Sequence, residues 1–285
     1  MSELYYIEPC NRARLSEGYA LLTGAESQHL TRVMRKRVGD EANLFDGSGR
    51  EYRCVIESVS RDETTLRVCE TVEDDREPEV ALTAIMALPK GERQKWAIEK
   101  LTELGVRRLI PLDASRADVK SDGSTRERLE RRVLEATKQC GRLRLMSVLP
   151  SISPEELPGL VESLDARLSS GEASAASDLR RRVDARYAPY DLFDELALGD
   201  EVLRVIAHPK SDGDFGQLSF VEFMRERAWR APRAVWILIG PVGGFTDAEV
   251  ANAVAQGWSP LDFGRQVYRV ETAAIVASSL FLHLT

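Results

Sequence analysis

The sequence predicts an α/β protein in which a small β-rich domain precedes a larger domain with a mainly parallel sheet. Short apolar runs separated by turn residues fill the first 75 or so positions. An almost unbroken apolar run at 81–88 is then followed by a helical pattern and a further strand-like run. Strand and helix patterns alternate from there to the end of the chain, which is typical of parallel α/β sheets.

The first domain, residues 1–75, has the pattern of a small β-barrel. Its strand-like runs lie at 42–45, 52–56 and 65–69, with turn residues such as DGSG at 46–49 between them. Short strands at near-regular spacing favour a barrel. Only 27–37 has a helical pattern here. The acidic, proline-containing stretch 73–79 is expected to link this barrel to the second domain, residues 76–285.

The second domain opens with a β-α-β unit. The apolar run at 81–88 predicts a strand that is buried on both faces. The spacing of apolar residues predicts a helix over 92–104, and the next strand is expected over 108–112. Gly105 follows the helix where a left-handed residue commonly ends one.

Later segments repeat this alternation. Ser124 and Thr246 each precede a Glu by three residues, the spacing of a capping box, so a helix is predicted to begin at each. Strands are predicted over 202–207 and 234–239. The segment 272–284 is apolar on almost every side and must be buried in a core or a subunit interface. A stretch rich in Ser, Ala and Arg, at about 165–185, is expected to be a surface insertion.

The composition, 43% hydrophobic and 30% charged, is that of a soluble globular protein. No apolar stretch approaches the roughly 20 residues of a membrane-spanning helix, and the first residues lack the pattern of a secretory signal. The four cysteines show no CxxC spacing, which argues against a zinc site or a disulfide framework. A cytoplasmic protein with no membrane or metal partner is expected.

The charge is unevenly distributed along the chain. The net charge is −7, yet residues 90–144 contain 15 Lys and Arg against 9 Asp and Glu. A second cluster, RVMRKR at 32–37, has four cations in six residues. Solvated helix faces would also give such clusters, so the charge permits a nucleic-acid partner without requiring one.

The clearest candidate for a binding site is IGPVGGFT at 239–246, where an apolar strand runs into glycines and then into a capped helix. Glycines let a ligand approach the backbone, and the start of a helix offers free N–H groups. A tight structural turn would have the same sequence. The absence of a following GK(S/T) argues against nucleoside triphosphate hydrolysis. The absence of GxGxxG disfavours a nucleotide-dependent oxidoreductase.

Two other strand ends, 205–209 and 260–264, have similar loops, and ligands of parallel sheets bind beyond the carboxyl ends of the strands. His208 is a candidate base, although a histidine before proline is commonly structural. His29 could contact RNA or pack at the surface. His283 and the four tryptophans are expected in the core.

Five motifs, in this order, resemble the RsmE family, the 16S rRNA uracil-N3 methyltransferases of the SPOUT superfamily. His29 with VMR at 33–35 and VGD at 38–40 resembles the H-x3-VLR…VGD signature. KGER at 90–93 through ELGV at 103–106 is similar to KGDR…TELGV. QCGR at 139–142 resembles QSGR, IGPVGGF at 239–245 resembles IGPEGGF, and 263–273 resembles LGxRILRTETA.

The resemblance implies a PUA-type RNA-binding barrel followed by a SPOUT α/β domain with a C-terminal trefoil knot. It also implies a homodimer with the cofactor S-adenosylmethionine at the subunit interface, and 16S rRNA of the small ribosomal subunit as the substrate. The apolar C-terminal segment is consistent with such a dimer.

The resemblance and the strand-end pattern together predict three sets of site residues. Those expected to bind the cofactor are Ala207, His208, Pro209, Ile239, Gly240, Pro241, Gly243, Gly244, Phe263, Gly264, Val267, Tyr268, Arg269 and Thr272. Those expected to act on the base are the cations Arg142, Arg116 and Arg269, with Glu271 as an orienting group or proton acceptor. Those expected to bind RNA are His29, Arg32, Arg35, Lys36 and Arg37.

Four departures from the family pattern bear on function. Val242 replaces the Glu of GPEGG, Tyr268 replaces a usual Leu, residues 145–146 lack a usual proline, and the serine-rich insertion lengthens the chain. Val242 removes a charge from the cofactor loop. A catalytically weak RNA-binding or ribosome-assembly protein of the same fold is therefore the alternative to the enzyme.

Overall fold

The computed structural model describes residues 3–73, 76–117, 119, 122–161, 202–209, 215–226 and 232–283. The chain forms two compact units, Met1–Glu77 with Leu134–Leu145 (unit 1) and Pro78–Val133 with Met146–Thr285 (unit 2). The insertion expected at 165–185 lies outside the described residues. The domain boundary at 75/76 stays a prediction, and unit 1 also contains a segment from much later in the chain.

Unit 1 contains a sheet whose described part has five strands in the order β1-β3-β4-β5-β2. β1 runs parallel to β3, and the other neighbours are antiparallel. The inward side chains of β4, Tyr52, Cys54 and Ile56, are buried in the core of the unit. The strands are β1 (Leu4–Tyr6), β2 (Tyr19–Thr23), β3 (Glu41–Phe45), β4 (Arg50–Val59) and β5 (Glu63–Glu73).

The helical segment of unit 1 begins and ends earlier in the chain than the predicted 27–37. Helix α1 (Gly24–Gln28) continues into a π-helical turn, His29–Val33. The chain then leaves the helix because Arg35 adopts a left-handed conformation with φ of 58°. A 3-10 helix, Pro9–Glu17, which the sequence pattern did not predict, precedes β2.

Unit 2 is built on a sheet whose described strands, in the order β10-β12-β9-β11-β6-β7-β8, are all parallel. This confirms the parallel sheet expected from the alternating pattern. All six residues of β11 are buried, as the continuous apolar run requires. The strands are β6 (Ala81–Met86), β7 (Arg108–Pro111), β8 (Ser147–Val148), β9 (Val202–Ala207), β10 (Leu218–Ser219), β11 (Ala234–Ile239) and β12 (Ser259–Asp262).

The helices α2 (Glu92–Leu104) and α3 (Gly123–Cys140) both end at left-handed glycines. Gly105 has φ of 92°, and the N–H of Val106 reaches the carbonyl of Leu101 at 3.0 Å. Gly141 has φ of 76° after α3. The predicted cap at Gly105 is confirmed.

The predicted cap of α3 at Ser124 is wrong, because the capping residue is Asp122, two positions earlier. The helix begins at Gly123, and the Oδ1 of Asp122 accepts hydrogen bonds from the Thr125 N–H at 2.7 Å and the Ser124 hydroxyl at 2.8 Å. These donors stabilise the carboxylate and lower the pKa of Asp122 to about 2. Aspartate accepts such a bond at least as well as serine, so it provides the N-cap.

The C-terminal helix α6 (Val270–His283) contacts α2, β6 and β11. Ala274, Ala277 and Phe281 are buried, whereas Ile275 and Leu280 are half-buried. His283 is exposed, so its predicted burial is wrong. Unit 2 also contains the helices α4 (Phe220–Glu226) and α5 (Asp247–Ala255).

Of the tryptophans, Trp236 and Trp258 are buried as predicted, while Trp96 on α2 is 46% exposed, so the prediction is wrong there. Trp229 lies outside the described residues. Among the described helices, none has both the length and the apolar character needed to cross a bilayer. The trefoil knot stays a prediction.

Candidate functional site

Three neighbouring parallel strands of unit 2 end at one edge of the sheet. Ala207, the last residue of β9, lies opposite Ile239 of β11 and Leu261 of β12. Their carboxyl ends therefore bring the three following loops together. These loops line a cavity of about 460 Å³, the strand-end pocket, whose size is typical of a small-molecule site.

The loop after β11 is a glycine turn with no room for side chains at its start. A Cβ on Gly240 would lie 2.9 Å from the ring of Phe245. Gly244 has φ of 69°, and its N–H bonds the carbonyl of Pro241 at 2.8 Å. The chain then enters α5 through the predicted capping box, in which Thr246 and Glu249 bond each other's backbone N–H groups. Backbone atoms therefore form this wall of the pocket.

The loop after β12 is closed by Tyr268. Its hydroxyl would lie 2.6 Å from a Cβ at Gly264, so a larger residue there would displace the Tyr268 ring. The Gly264 N–H bonds Oδ1 of Asp262 at 3.0 Å, which holds the turn. Val267 is 80% exposed at the rim of the pocket.

The loop after β9 contributes His208. Its backbone N–H bonds the carbonyl of Leu261 at 3.0 Å, and its ring lies edge-on to Phe215 with the centroids 5.8 Å apart. Burial lowers the pKa of the imidazole, and the carboxylate of Asp247 opposes that shift only partly. A histidine with a lowered pKa is neutral at pH 7.

A charged pair that the sequence analysis missed lies beside the pocket. The half-exposed Arg93, in the first turn of α2, lines the pocket. Its Nε lies 3.8 Å from Oε1 of Glu271, whose side chain is 7% exposed. This separation is longer than a hydrogen bond, so the guanidinium keeps its donors for another partner. The KGER motif at 90–93 was the available signal, but nothing local connects residue 93 with residue 271.

The three predicted arginines occupy different places. Arg269 is exposed and lines the pocket. Arg116 donates to the carbonyl of Gly243 at 2.9 Å and so supports the glycine turn from outside. Arg142 belongs to unit 1, where its buried guanidinium makes a two-pronged ion pair with Glu77 at 2.7 and 2.5 Å.

Most of the predicted cofactor residues line the strand-end pocket, while Gly243, Gly264 and Thr272 do not. Those that line it are Ala207, His208, Pro209, Ile239, Gly240, Pro241, Gly244, Phe263, Val267, Tyr268 and Arg269. Residues that line it but were not predicted as cofactor residues are Arg93, Val242, Phe245, Leu261, Asp262, Gln266, Val270 and Ala273. Most of these adjoin the predicted loops. Within the described part of the chain, no three His, Cys, Asp or Glu side chains are grouped to hold a metal ion.

The residues predicted to bind RNA lie in unit 1. The His29 Nε2 is 2.6 Å from Oε1 of Glu3, and its ring packs near Tyr5. Residues 32–38, which include the end of the π-helical turn, are exposed apart from the half-buried Lys36, and we call them the basic loop. Its Lys36 ammonium donates to the carbonyl of Glu41 at 2.9 Å.

Sequence comparison relates both regions to known families. Residues 76–186 and 180–282 match a family described as RNA methyltransferase domain, and residues 22–69 match one described as RNA methyltransferase PUA domain. The chain belongs to the RNA methyltransferase family. The resemblance seen in the motifs is thereby confirmed, as is the PUA-like domain before the SPOUT-type α/β domain.

Named relatives of this RNA methyltransferase align over most of their length. The ribosomal RNA small subunit methyltransferase E of Bacillus subtilis is 28% identical over 268 residues, which cover 93% of this chain and 90% of the relative. The protein of the same name from Mycobacterium bovis is 28% identical over 264 residues, 90% of this chain and 84% of the relative.

Solved structures share the fold of this RNA methyltransferase. A Legionella pneumophila protein described as a methyltransferase, in complex with its cofactor SAM, is 25% identical with a TM-score of 0.68, covering 99% of this chain and 97% of that one. A ribosomal RNA small subunit methyltransferase E from Neisseria gonorrhoeae is 21% identical with a TM-score of 0.69, covering 100% of this chain and 98% of that one.

Proposed function

We propose that this protein transfers a methyl group from S-adenosylmethionine to N3 of a uridine in 16S rRNA of the small ribosomal subunit. The observation that carries the proposal is the strand-end pocket, formed by three adjacent loops in a chain of the RNA methyltransferase family. The named relatives are small-subunit rRNA methyltransferases, and the Legionella pneumophila protein holds SAM. Both support the substrate and the cofactor.

The residues present fit this cofactor. Gly240, which lines the pocket, lets the ring of Phe245 pack against the backbone of the glycine turn, and the pocket also contains apolar surface at Phe263 and Tyr268. His208, neutral at pH 7 because its pKa is lowered, would not repel a sulfonium. We therefore assign cofactor binding to these loops, with Gly243, Gly264 and Thr272 shaping them.

The chemistry required of the protein is mainly positioning. S-adenosylmethionine supplies an electrophilic methyl group when bound. The base must be unpaired before its N3 can react, and a cation beside a ring oxygen favours loss of the N3 proton by stabilising the resulting negative charge. We assign that role to Arg93 and Arg269, with the charge of the buried Glu271 favouring the position of Arg93 beside the pocket. Arg116 supports the glycine turn, and Arg142 is paired with Glu77 within unit 1.

We place RNA binding on the basic loop and adjacent His29, since cations at phosphates fix the register of a nucleic acid. We also propose a homodimer. The half-buried apolar residues of α6 and the exposed Trp96 on the neighbouring α2 support it, because exposed apolar surface of this kind commonly marks an interface.

The test is methyl transfer from labelled S-adenosylmethionine to small subunits that lack the modification. Nuclease digestion and mass spectrometry of the RNA then identify the product, which we expect to be 3-methyluridine. A methyl group on another atom would refute the assignment of the base. Calorimetry with the cofactor is run in parallel, and absence of binding would refute the enzyme itself.

The second candidate is a catalytically weak RNA-binding or assembly protein of the same fold. It is favoured by one observation, Val242, which is 68% exposed at the pocket where the family has a charged Glu. This candidate predicts that the protein binds subunits and cofactor but transfers no label. The Val242→Glu variant would then gain methyl transfer.

A further inference from the structure

The basic loop exposes apolar side chains among its cations. Val33 is 63% exposed, Met34 43% and Val38 61%. Arg32, Arg35 and Arg37, which flank them in the sequence, are also exposed. An exposed apolar residue is ordinary in isolation, but three within six positions form a patch that lies between positive charges.

The guanidinium groups of the three arginines of this loop make no ion pair within the described structure. Arg32, Arg35 and Arg37 make no side-chain hydrogen bond or ion pair there. The arginines of the β4–β5 face differ, since Arg50, Arg53 and Arg67 each bond a glutamate, namely Glu73, Glu70 and Glu57. A protein of net charge −7 thus presents, at one turn, a group of arginines whose guanidinium groups make no ion pair within the described residues.

Arg35 stands in a conformation that glycine adopts more easily. It is the one described non-glycine residue with positive φ, 58°. The Lys36 N–H bonds the carbonyl of Leu30 at 3.1 Å, so Arg35 occupies the left-handed position that ends a helical turn. A side chain with a Cβ is disfavoured there, and such strain tends to persist at functional sites. Replacing Arg35 by glycine would relieve this strain but remove the guanidinium, so the guanidinium is the reason for an arginine at this position.

The loop is also held in place at both ends. Leu30 before it is fully buried, and the Gly39 N–H after it bonds the carbonyl of Ile56 at 2.9 Å. The Arg37 N–H bonds Oδ2 of Asp40 at 2.7 Å. The exposed side chains are therefore presented on a fixed backbone, which lowers the entropy cost of binding.

We propose that the basic loop binds RNA at unpaired nucleotides, with its arginines on phosphates and with Val33, Met34 and Val38 against exposed bases. This rests on the proposed function, which makes RNA the partner. Phosphates give apolar side chains nothing to contact. Paired bases in an A-form helix hide their faces, whereas unpaired bases expose them. The recognised segment is thus an internal loop or single strand.

The test measures binding of two RNAs of equal length by fluorescence anisotropy, one a perfect hairpin and one with an unpaired internal loop. Arg32→Gln and Arg37→Gln should weaken binding of both RNAs about tenfold and flatten the dependence on salt. Val33→Thr with Met34→Gln should weaken binding of the looped RNA about fivefold, by loss of base contacts, and leave the hairpin unchanged.

Arg35→Gly separates function from folding. We expect an unchanged melting temperature, or one higher by about 2 °C because strain is relieved, together with weaker RNA binding. Arg61→Gln and Val59→Thr are matched controls, because both residues are exposed in unit 1 outside the loop.

The proposal is overturned if Arg35→Gly binds RNA as the wild type does, or if the apolar variants affect both RNAs equally or neither. Binding of S-adenosylmethionine and methyl transfer by the wild-type protein are measured separately. Their absence alongside a selective loss in the loop variants would refute the enzyme and keep the RNA-binding loop. The reverse result would refute only the loop.

Discussion

Glu271 is a buried carboxylate whose cation, Arg93, is 3.8 Å away and reaches the pocket. Because Arg93 would stabilise the negative charge that develops on the base, its removal should lower the rate of methyl transfer more than the affinity for the cofactor. We expect Arg93→Gln to lower kcat/KM for methyl transfer about 100-fold, the usual cost of losing one oxyanion donor. The affinity for S-adenosylmethionine should fall much less.

Two variants control this prediction. Arg93→Lys retains the charge without the planar fork and should recover part of the rate. Lys95→Gln removes an exposed cation from the same turn of α2, where Lys95 pairs with Glu92, and should leave the rate unchanged. Equal rates for Arg93→Gln and the wild type would exclude the assignment.

His208 gives the pocket a pH dependence with a definite sign. Burial lowers the pKa of its imidazole in the folded protein below the ordinary value of 6.5. As the pH falls below 6.5 the unfolded chain therefore binds the proton first, and the free energy of unfolding decreases. Above 6.5 the contribution is constant.

Urea denaturation at pH 7.5 and 5.5 measures this effect. The wild-type protein should lose more stability between these pH values than His208→Gln, since the variant lacks the group and the other titrations are common to both. Equal losses would mean that the imidazole is no harder to protonate in the folded state.

At the level of elements, α5 depends on its capping box. Thr246→Ala removes the hydroxyl that accepts the Glu249 N–H at 3.2 Å, and should cost about 1 kcal/mol of the free energy of unfolding. Thr246→Ser keeps the hydroxyl and should cost only a fraction of that. Urea unfolding of both variants is the measurement, and similar losses in the two would show that the cap contributes little.

The elements with local signals were predictable from the sequence. β9 and β11 were predicted with their observed bounds because β11 is a continuous apolar run and β9 is apolar at every position except Arg204. The glycine cap of α2 was predicted because glycine is the residue that most easily adopts the left-handed conformation in which a helix ends. The start of α3 was misplaced because serine and aspartate compete for the same position, and only the hydrogen-bond geometry decides between them.

Contacts between distant residues were beyond sequence reasoning. The pocket loops were found because three strand ends show the same pattern, and parallel topology brings them together. The pairing of Arg93 with Glu271, and of Arg142 with Glu77, joins positions far apart in the chain. No spacing rule predicts such pairs, so Arg142 was expected to act on the base, whereas it is buried against a glutamate.

At the scale of the whole molecule, the apolar helix α6 bears on whether the protein forms a dimer. Within unit 2 it packs on α2, yet Ile275 and Leu280 stay half-buried, and Trp96 on α2 is 46% exposed. If a second copy covers this surface, Trp96→Glu should place a charge in the interface and shift the protein from dimer to monomer in sedimentation. The control is Val221→Glu, a charge at another exposed apolar residue of unit 2, which should remain dimeric.

The same variant connects assembly with the cofactor. A pocket completed by the partner subunit would lose affinity for S-adenosylmethionine when the dimer dissociates, because binding to the assembled form and assembly are linked. We therefore expect Trp96→Glu to bind the cofactor at least tenfold more weakly, with the affinity recovering as protein concentration rises. A monomeric variant that binds as tightly as the wild type would show that one chain contains the complete pocket. A wild-type protein that sediments as a monomer would exclude the dimer altogether.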